Sequence, residues 1–262
     1  VEEGKWLRKL LALFVIYKSI YWFCDYNLLF SAQSIIYKNE RVLPIWQWPA
    51  FILFKSHSLF LSIAFLSSTF LTALYVLFSG KNLRIAFFIL WFGIVNINNH
   101  VYCALSGGDY LFQHLLFFCI FLSNNEQKQN PLYSSLDTAL HNLGIIALRM
   151  QVCLVYFLAG YAKLLDIDWM NGTAVNDIFK VHDYSLPFLY NSDGAFGKEL
   201  NFLVIGYQLF FPVLVWVQKI KKWFLLLGVL QHLFIAFIIG LPSFGFIMII
   251  AYAIFYTPFK KT

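Results

Sequence analysis

The chain has 262 residues, of which 60% are hydrophobic and 20% aromatic, and only 12% are charged. Its mean hydropathy of +0.69 lies well above that of ordinary soluble domains and points to an integral membrane protein. The net charge of +6 comes from short basic clusters between apolar runs, which is how membrane proteins fix their orientation, and no nucleic-acid-binding pattern competes.

A hydrocarbon layer about 30 Å thick takes roughly 20 helical residues. On that scale the sequence predicts an all-α integral membrane protein, a bundle of about eight transmembrane helices with an outer cap loop. The predicted spans are about 8–24, 57–78, 84–105, 109–122, 143–165, 200–218, 223–240 and 243–258. The apolar content runs through nearly the whole of 1–262, so a single transmembrane domain is expected, with no room for a separate soluble one. The run "VLPIWQWPAFILF" at 42–54 carries Pro44, Pro49, Trp46 and Trp48. Proline breaks helices and tryptophan favours the membrane interface, so this segment is expected at the interface.

Basic residues set the orientation. With eight spans and the N-terminus inside, the inner segments hold Lys5, Arg8, Lys9, Lys81, Arg84, Lys128, Lys219, Lys221, Lys222, Lys260 and Lys261. The outer ones hold Lys38, Arg41, Lys55, Lys180 and Lys198, and eleven against five puts both termini in the cytoplasm of a multi-pass cell-membrane protein. The longest non-spanning stretch, 166–199, carries six acidic residues with Tyr184, Pro187, Phe188 and Tyr190. It is the expected cap and the best place for substrate contact. The cysteines, Cys24, Cys103, Cys119 and Cys153, fall in or beside apolar runs without metal-ligand spacing, so they are expected to be buried hydrophobes and no metal site is predicted.

Ionisable and amide groups at membrane depth are costly, about 2.5–3.5 kcal/mol for a charge on insertion scales, so their placement is informative. On the third span Asn96, Asn99, His100 and Cys103 share one helical face. On the fifth, Arg149, Tyr156 and Lys163 are spaced by seven with Gly160 on the same face, where a glycine admits a neighbouring helix. His100 and Lys163 are expected at similar depth beneath the outer surface, with His114 near them and His232 deeper. No acidic residue is predicted well inside a span. From the residues alone, Lys163 is either an anchor whose stem lets the ammonium snorkel to water or a base held out of water. His100 with its asparagines is either interhelical hydrogen-bonding glue or a catalytic group. Lys18 reads as an interfacial anchor, and Arg149 as a group paired with backbone carbonyls or lipid phosphate.

Three segments in order carry a resemblance: "NNH" at 98–100, "QVCLVYFLAGYAKLLDIDWMNGTAV" at 151–175, and "LQHLFIAFIIGLPSFGFIMIIAYAIF" at 230–255. Together they resemble the vitamin K-dependent γ-carboxylase-like family of horizontally transferred transmembrane (HTTM) proteins. The chain's length and the "WMNGTAV" wording are similar to the small bacterial branch that includes sporulation-delaying protein B. The resemblance implies quinol-dependent modification of a peptide. Lys163 would be the base that deprotonates a reduced quinone, vitamin K hydroquinone or menaquinol-like, and His100 the partner of an oxyanion. Asn99, Tyr156, Gly160, Trp169, His114 and His232 would line the substrate and quinone site. O2 and CO2 would be co-substrates if carboxylation is kept, after an oxygen-derived strong base takes a proton to leave a carbanion. The implied partners are the lipid bilayer, a secreted or outer-side peptide, and a small partner protein. The departures are Ala162 before Lys163, where eukaryotic carboxylases have a second lysine, and one extra residue before the Asp-x-Asp-Trp run. The other function implied by the bacterial branch is a non-catalytic membrane partner in the maturation, export or immunity of a secreted peptide toxin.

Overall fold

The computed structural model describes residues 4–31, 34, 36, 45–56, 58–79, 81–123, 131–181 and 198–259. Among them the protein is all helical, without strands. Twelve α-helices are formed: α1 (Lys5–Cys24), α2 (Tyr26–Leu29), α3 (Ile52–Ser56), α4 (Leu59–Phe78), α5 (Leu83–His100), α6 (Gly107–Cys119), α7 (Pro131–Leu164), α8 (Ile167–Asn171), α9 (Ala174–Lys180), α10 (Lys198–Leu214), α11 (Gln218–Phe237) and α12 (Pro242–Ala251). Helices stand at all eight places expected from hydropathy. Three are long and apolar enough to cross a membrane: Leu59–Phe78, Leu132–Leu164 and Gln218–Phe237. Their outer faces are apolar, with Phe60, Leu71, Leu154, Phe157, Leu227 and Leu230 exposed, as contact with lipid requires.

Several boundaries differ from expectation, those of α5 and α7 with a clear physical cause. α5 stops at His100, not near 105, because Val101 leads into a 3-10 turn over Tyr102–Ala104 and Ser106 then starts α6. In that start the Ser106 N–H and hydroxyl both donate to Asp109 Oδ2, at 2.8 and 2.9 Å, closing a capping box. α7 begins at Pro131, twelve residues before the predicted start, and its 34 residues extend about 51 Å. Proline fits the first turn of a helix, where its missing N–H is not needed. Asp137 and His141, which interrupt the hydropathy there, are buried against partners.

The chain divides into two compact units, residues 1–148 with 256–262, and residues 149–255. In the first, α1 packs on α4, α4 on α5, and α5 on α6, around Leu11, Val15, Leu66, Leu90, Ile94 and Leu115. Gly93 faces the Thr69 methyl so closely that a side chain at 93 would force α4 and α5 apart. In the second unit, α11 packs on α12 and α10 meets α8, α9 and α11. Its centre holds Tyr156 and Phe211, stacked at 3.9 Å between ring centroids. The described start of the expected cap, 166–181, folds into α8 and α9, whose Val175 and Phe179 pack with Trp169, Leu200, Ile238 and Ile239. Residues 182–197 of that cap, and Lys38, Arg41, Pro44, Lys128, Lys260 and Lys261, lie outside the described residues. Cys119 and Cys153 are buried as expected, whereas Cys24 and Cys103, at a helix end and in the 3-10 turn, are exposed; all four are free.

Candidate functional site

In the first unit the Asn-x-x-Asn-His face of α5 serves as a backbone clamp. Asn96 Oδ1 accepts from the Ile52 N–H at 2.9 Å and the Leu53 N–H at 3.4 Å, while its Nδ2 donates to the Pro49 and Phe92 carbonyls at 3.0 and 3.1 Å. Asn99 Nδ2 donates to the Ala50 carbonyl at 2.8 Å. Residues 45–51 form a 3-10 helix containing Pro49, a tighter and less regular structure than α-helix, and these amides take up its backbone groups. His100 is buried at the end of α5, its Nε2 3.1 Å from the Leu29 carbonyl and its ring stacked on Phe30 at 5.0 Å. His100 is the last residue of its helix, where a position about one turn inside the helix was expected. Cys103 leaves the shared face, and His114 is exposed on α6.

In the second unit Lys163 sits one residue before the end of α7 and is half-buried. Its Nζ lies over the Trp169 ring, 4.7 Å from the centroid, and its nearest acceptor is the Ala159 carbonyl of the preceding turn, at 3.4 Å. Among the described residues no carboxylate is within ion-pair distance of Lys163. The acidic turn that follows explains the geometry. Asp166 caps α8, accepting from the Asp168 and Trp169 N–H groups at 2.9 and 3.3 Å, and this reverses the chain so that Trp169 returns over the lysine. Gly172, at φ +81°, then ends α8 against Lys198, and Asn201 holds the turn by donating to the Gly172 carbonyl and accepting from the Val175 N–H. One turn below Lys163, Gly160 lets α10 approach through Gln208 and Leu209.

Deeper in the same unit Tyr156 and His232 do meet. The Tyr156 hydroxyl is 2.6 Å from His232 Nε2 and also contacts the Tyr252 hydroxyl, which lies 3.4 Å from that of Tyr207. Tyr207 donates to the Phe224 carbonyl at 3.2 Å. All four rings are buried, and Gly228 makes the approach possible, since a Cβ there would sit on the Tyr207 and Tyr252 hydroxyls. Thus Lys163 is joined to Trp169, Tyr156 to His232, and Asn99 and His100 to the clamp of the first unit.

Other buried polar groups escape a reading by spans. Lys18 is not an interfacial anchor: it forms a buried 2.8 Å ion pair with Asp109, and its ammonium lies 5.2 Å from the Trp22 ring. The Ser-Gly-Gly-Asp capping pattern at 106–109 was the available signal that Asp109 would sit inside a helix start. In the same unit, Arg8 donates to the Leu122 and Ser123 carbonyls and Arg84 to those of Phe121 and Leu122, satisfying the turn that follows α6. Asp137 bridges Arg84 at 2.9 Å and the Ser123 hydroxyl at 2.5 Å, and His141 Nδ1 accepts from the Ser123 N–H. Asp109 lies in the first turn of α6 and Asp137 in the second turn of α7, ahead of the predicted start at 143, so neither stands well inside a predicted span; the spacing of Asp137 and His141, four apart, was the signal for the earlier helix start. In the second unit, Arg149 and Lys221 reach the Ile254 and Phe255 carbonyls, so Arg149 takes the expected backbone pairing.

Comparison with protein-family models, with curated proteins and with solved structures finds no match to this chain.

Proposed function

We propose that the protein is a multi-pass membrane enzyme of the γ-carboxylase-like HTTM type that modifies an outer-side peptide with a reduced quinone. In this reading the eight hydropathic helices form one bundle, both termini are cytoplasmic, and the Lys163 end of α7 lies near the outer face. The observation that carries it is the setting of Lys163: an amine half-buried at an apolar helix end, over Trp169, with no carboxylate partner among the described residues. A snorkelling lysine extends to water, whereas this one is folded back over an aromatic face. Such an amine fits an acidic hydroxyl beside it, because the anion left by proton transfer becomes its charge partner.

A reduced quinone would supply the reducing equivalents and the hydroxyl to be deprotonated. The protein's part is to keep the Lys163 amine away from bulk water, to fix it through the Asp166 turn, and to offer Trp169 as an apolar wall for a flat ring. The direct test is quinone epoxide formation by the purified protein in lipid with menaquinol and oxygen, comparing the parent with Lys163→Ala. Epoxide from the parent and none from the variant is the expected result. No epoxide from the parent refutes the reading.

One observation favours a second reading. Two of the "NNH" residues have backbone partners, Asn99 at Ala50 and His100 at Leu29, and the third, Asn98, donates to the Gln113 side chain. A segment used as a clamp suits a non-catalytic partner in maturation, export or immunity of a secreted peptide toxin. That reading expects Lys163→Ala to leave capture of the peptide precursor or a small partner protein unchanged.

A further inference from the structure

Charge in the second unit is sorted by end. Its described acids, Asp166, Asp168, Asp177 and Glu199, lie between the end of α7 and the first turn of α10. The 17 residues of α10, about 25 Å of helix, then lead to a turn where the sign reverses. There Lys219, Lys221 and Lys222 stand among the first five residues of α11, with no acid in its first turn, and Arg149 of α7 joins them. Part of this cluster is explained by the fold. Arg149 and Lys221 donate to the Ile254 and Phe255 carbonyls, at 3.4 and 2.8 Å, in the 3-10 turn that follows α12, and a cation suits the carbonyl end of a helix. Lys219 and Lys222 have no such reason: both are exposed, and both sit at the end of α11 where the helix dipole favours negative charge.

Two tryptophans mark the same end. Trp216 is 45% exposed with the Arg149 guanidinium 5.7 Å from its ring centre, and Trp223 is 67% exposed with the Lys222 ammonium at 5.8 Å. Exposed tryptophan gathers at the headgroup level of a bilayer, and Val213, Val217, Ile220 and Leu226 beside these two are exposed as well. Cations, aromatic rings and apolar side chains on one rim complement a negatively charged lipid headgroup, whereas a free anion has no use for the apolar part. We propose that the α10–α11 turn is a docking surface for anionic phospholipid. Lys219 and Lys222 meet the headgroup phosphate, the half-buried Arg149 and Lys221 add fixed positive charge beside them, and Trp216 and Trp223 lie at the level of the glycerol backbone. The surface sits at the Arg149 end of the α7 stretch 149–164, opposite Lys163, and needs only that the protein lies in a bilayer, not the chemistry proposed for that lysine.

Native mass spectrometry of the purified protein released from detergent micelles, with dioleoyl phosphatidylglycerol or dioleoyl phosphatidylcholine added, tests this. A phosphatidylglycerol adduct is expected, formed about tenfold more tightly than the phosphatidylcholine adduct. Lys219→Gln combined with Lys222→Gln removes two exposed charges and should bring the two lipids within about twofold of each other. Lys180→Gln combined with Lys198→Gln removes the same charge from the acidic end and should leave the preference at its parent value, as should Lys163→Ala. Equal binding of the two lipids to the parent overturns the proposal, and so does a preference that survives the loss of Lys219 and Lys222. An equal loss in the Lys180 and Lys198 variant, the mark of net charge alone, also overturns it. A phosphatidylglycerol adduct displaced by millimolar inorganic phosphate does the same, since that is the behaviour of a small-anion site.

Discussion

The Lys18 and Asp109 pair gives a quantitative handle on the first unit. Their side chains are 8% and 4% exposed and the charged atoms are 2.8 Å apart. At an effective dielectric of about 20 the bare attraction is about 6 kcal/mol, most of it offset by the cost of taking both ions out of water. The pair as a whole therefore contributes little, but cutting one side leaves a buried charge alone, a loss of about 3–5 kcal/mol. Asp109→Asn is the cleanest cut, because an asparagine still accepts from the Ser106 N–H and keeps the start of α6. Unfolding by sodium dodecyl sulfate in mixed micelles, read by circular dichroism, should show a loss of that size. Lys18→Met combined with Asp109→Asn should recover most of it, giving a strongly non-additive cycle. A loss below about 1 kcal/mol for Asp109→Asn would be the behaviour of a solvent-exposed pair and would refute the burial of Lys18.

Asn96→Ala removes the partner of the Ile52 N–H and of the Pro49 carbonyl, so a destabilisation of about 2–6 kcal/mol is expected at about 1–3 kcal/mol per group left unmade. Proteolysis within 45–56 should accelerate with it, and unchanged cleavage would contradict the clamp. Gly228→Ala places a methyl on two tyrosine hydroxyls and should cost about 1–3 kcal/mol in the same unfolding assay; a neutral result would mean α11 does not lie against the tyrosines. Asp166→Ala removes the cap of α8, worth about 1 kcal/mol, and should raise amide exchange over 167–171, whereas unaltered exchange would show that the Asp166 carboxylate does not hold the turn.

Hydropathy located eight of the twelve helices, because an apolar run of the right length has few alternatives to a helix, and missed the short α2, α3, α8 and α9. It misplaced the two ends where tertiary contacts outweigh composition. Asp137 and His141 look like loop residues until Arg84 and Ser123 are beside them. His100 looks interior to its helix until the 3-10 turn after Val101 is seen. Helical spacing correctly placed Tyr156 and Gly160 on a packed face, Gly160 against α10. The pairing of Tyr156 with His232, 76 residues apart in sequence, was beyond any periodicity. The role of the acidic turn after Lys163 was hidden for a different reason: a cap is a local signal, but what it aims, here Trp169 over Lys163, is set by the reversal of the chain.

The central claim is that the Lys163 amine acts as a base and not as an anchor, and chemical rescue tests it most directly. Lys163→Ala protein in lipid, supplied with menaquinol and oxygen, would be titrated with methylamine and with a series of small primary amines of graded basicity. Epoxide formation that returns with amine concentration and rises with amine basicity is the expected result. A variant that is as active as the parent without added amine, or one that stays inactive at every amine while remaining folded, would contradict a base at position 163.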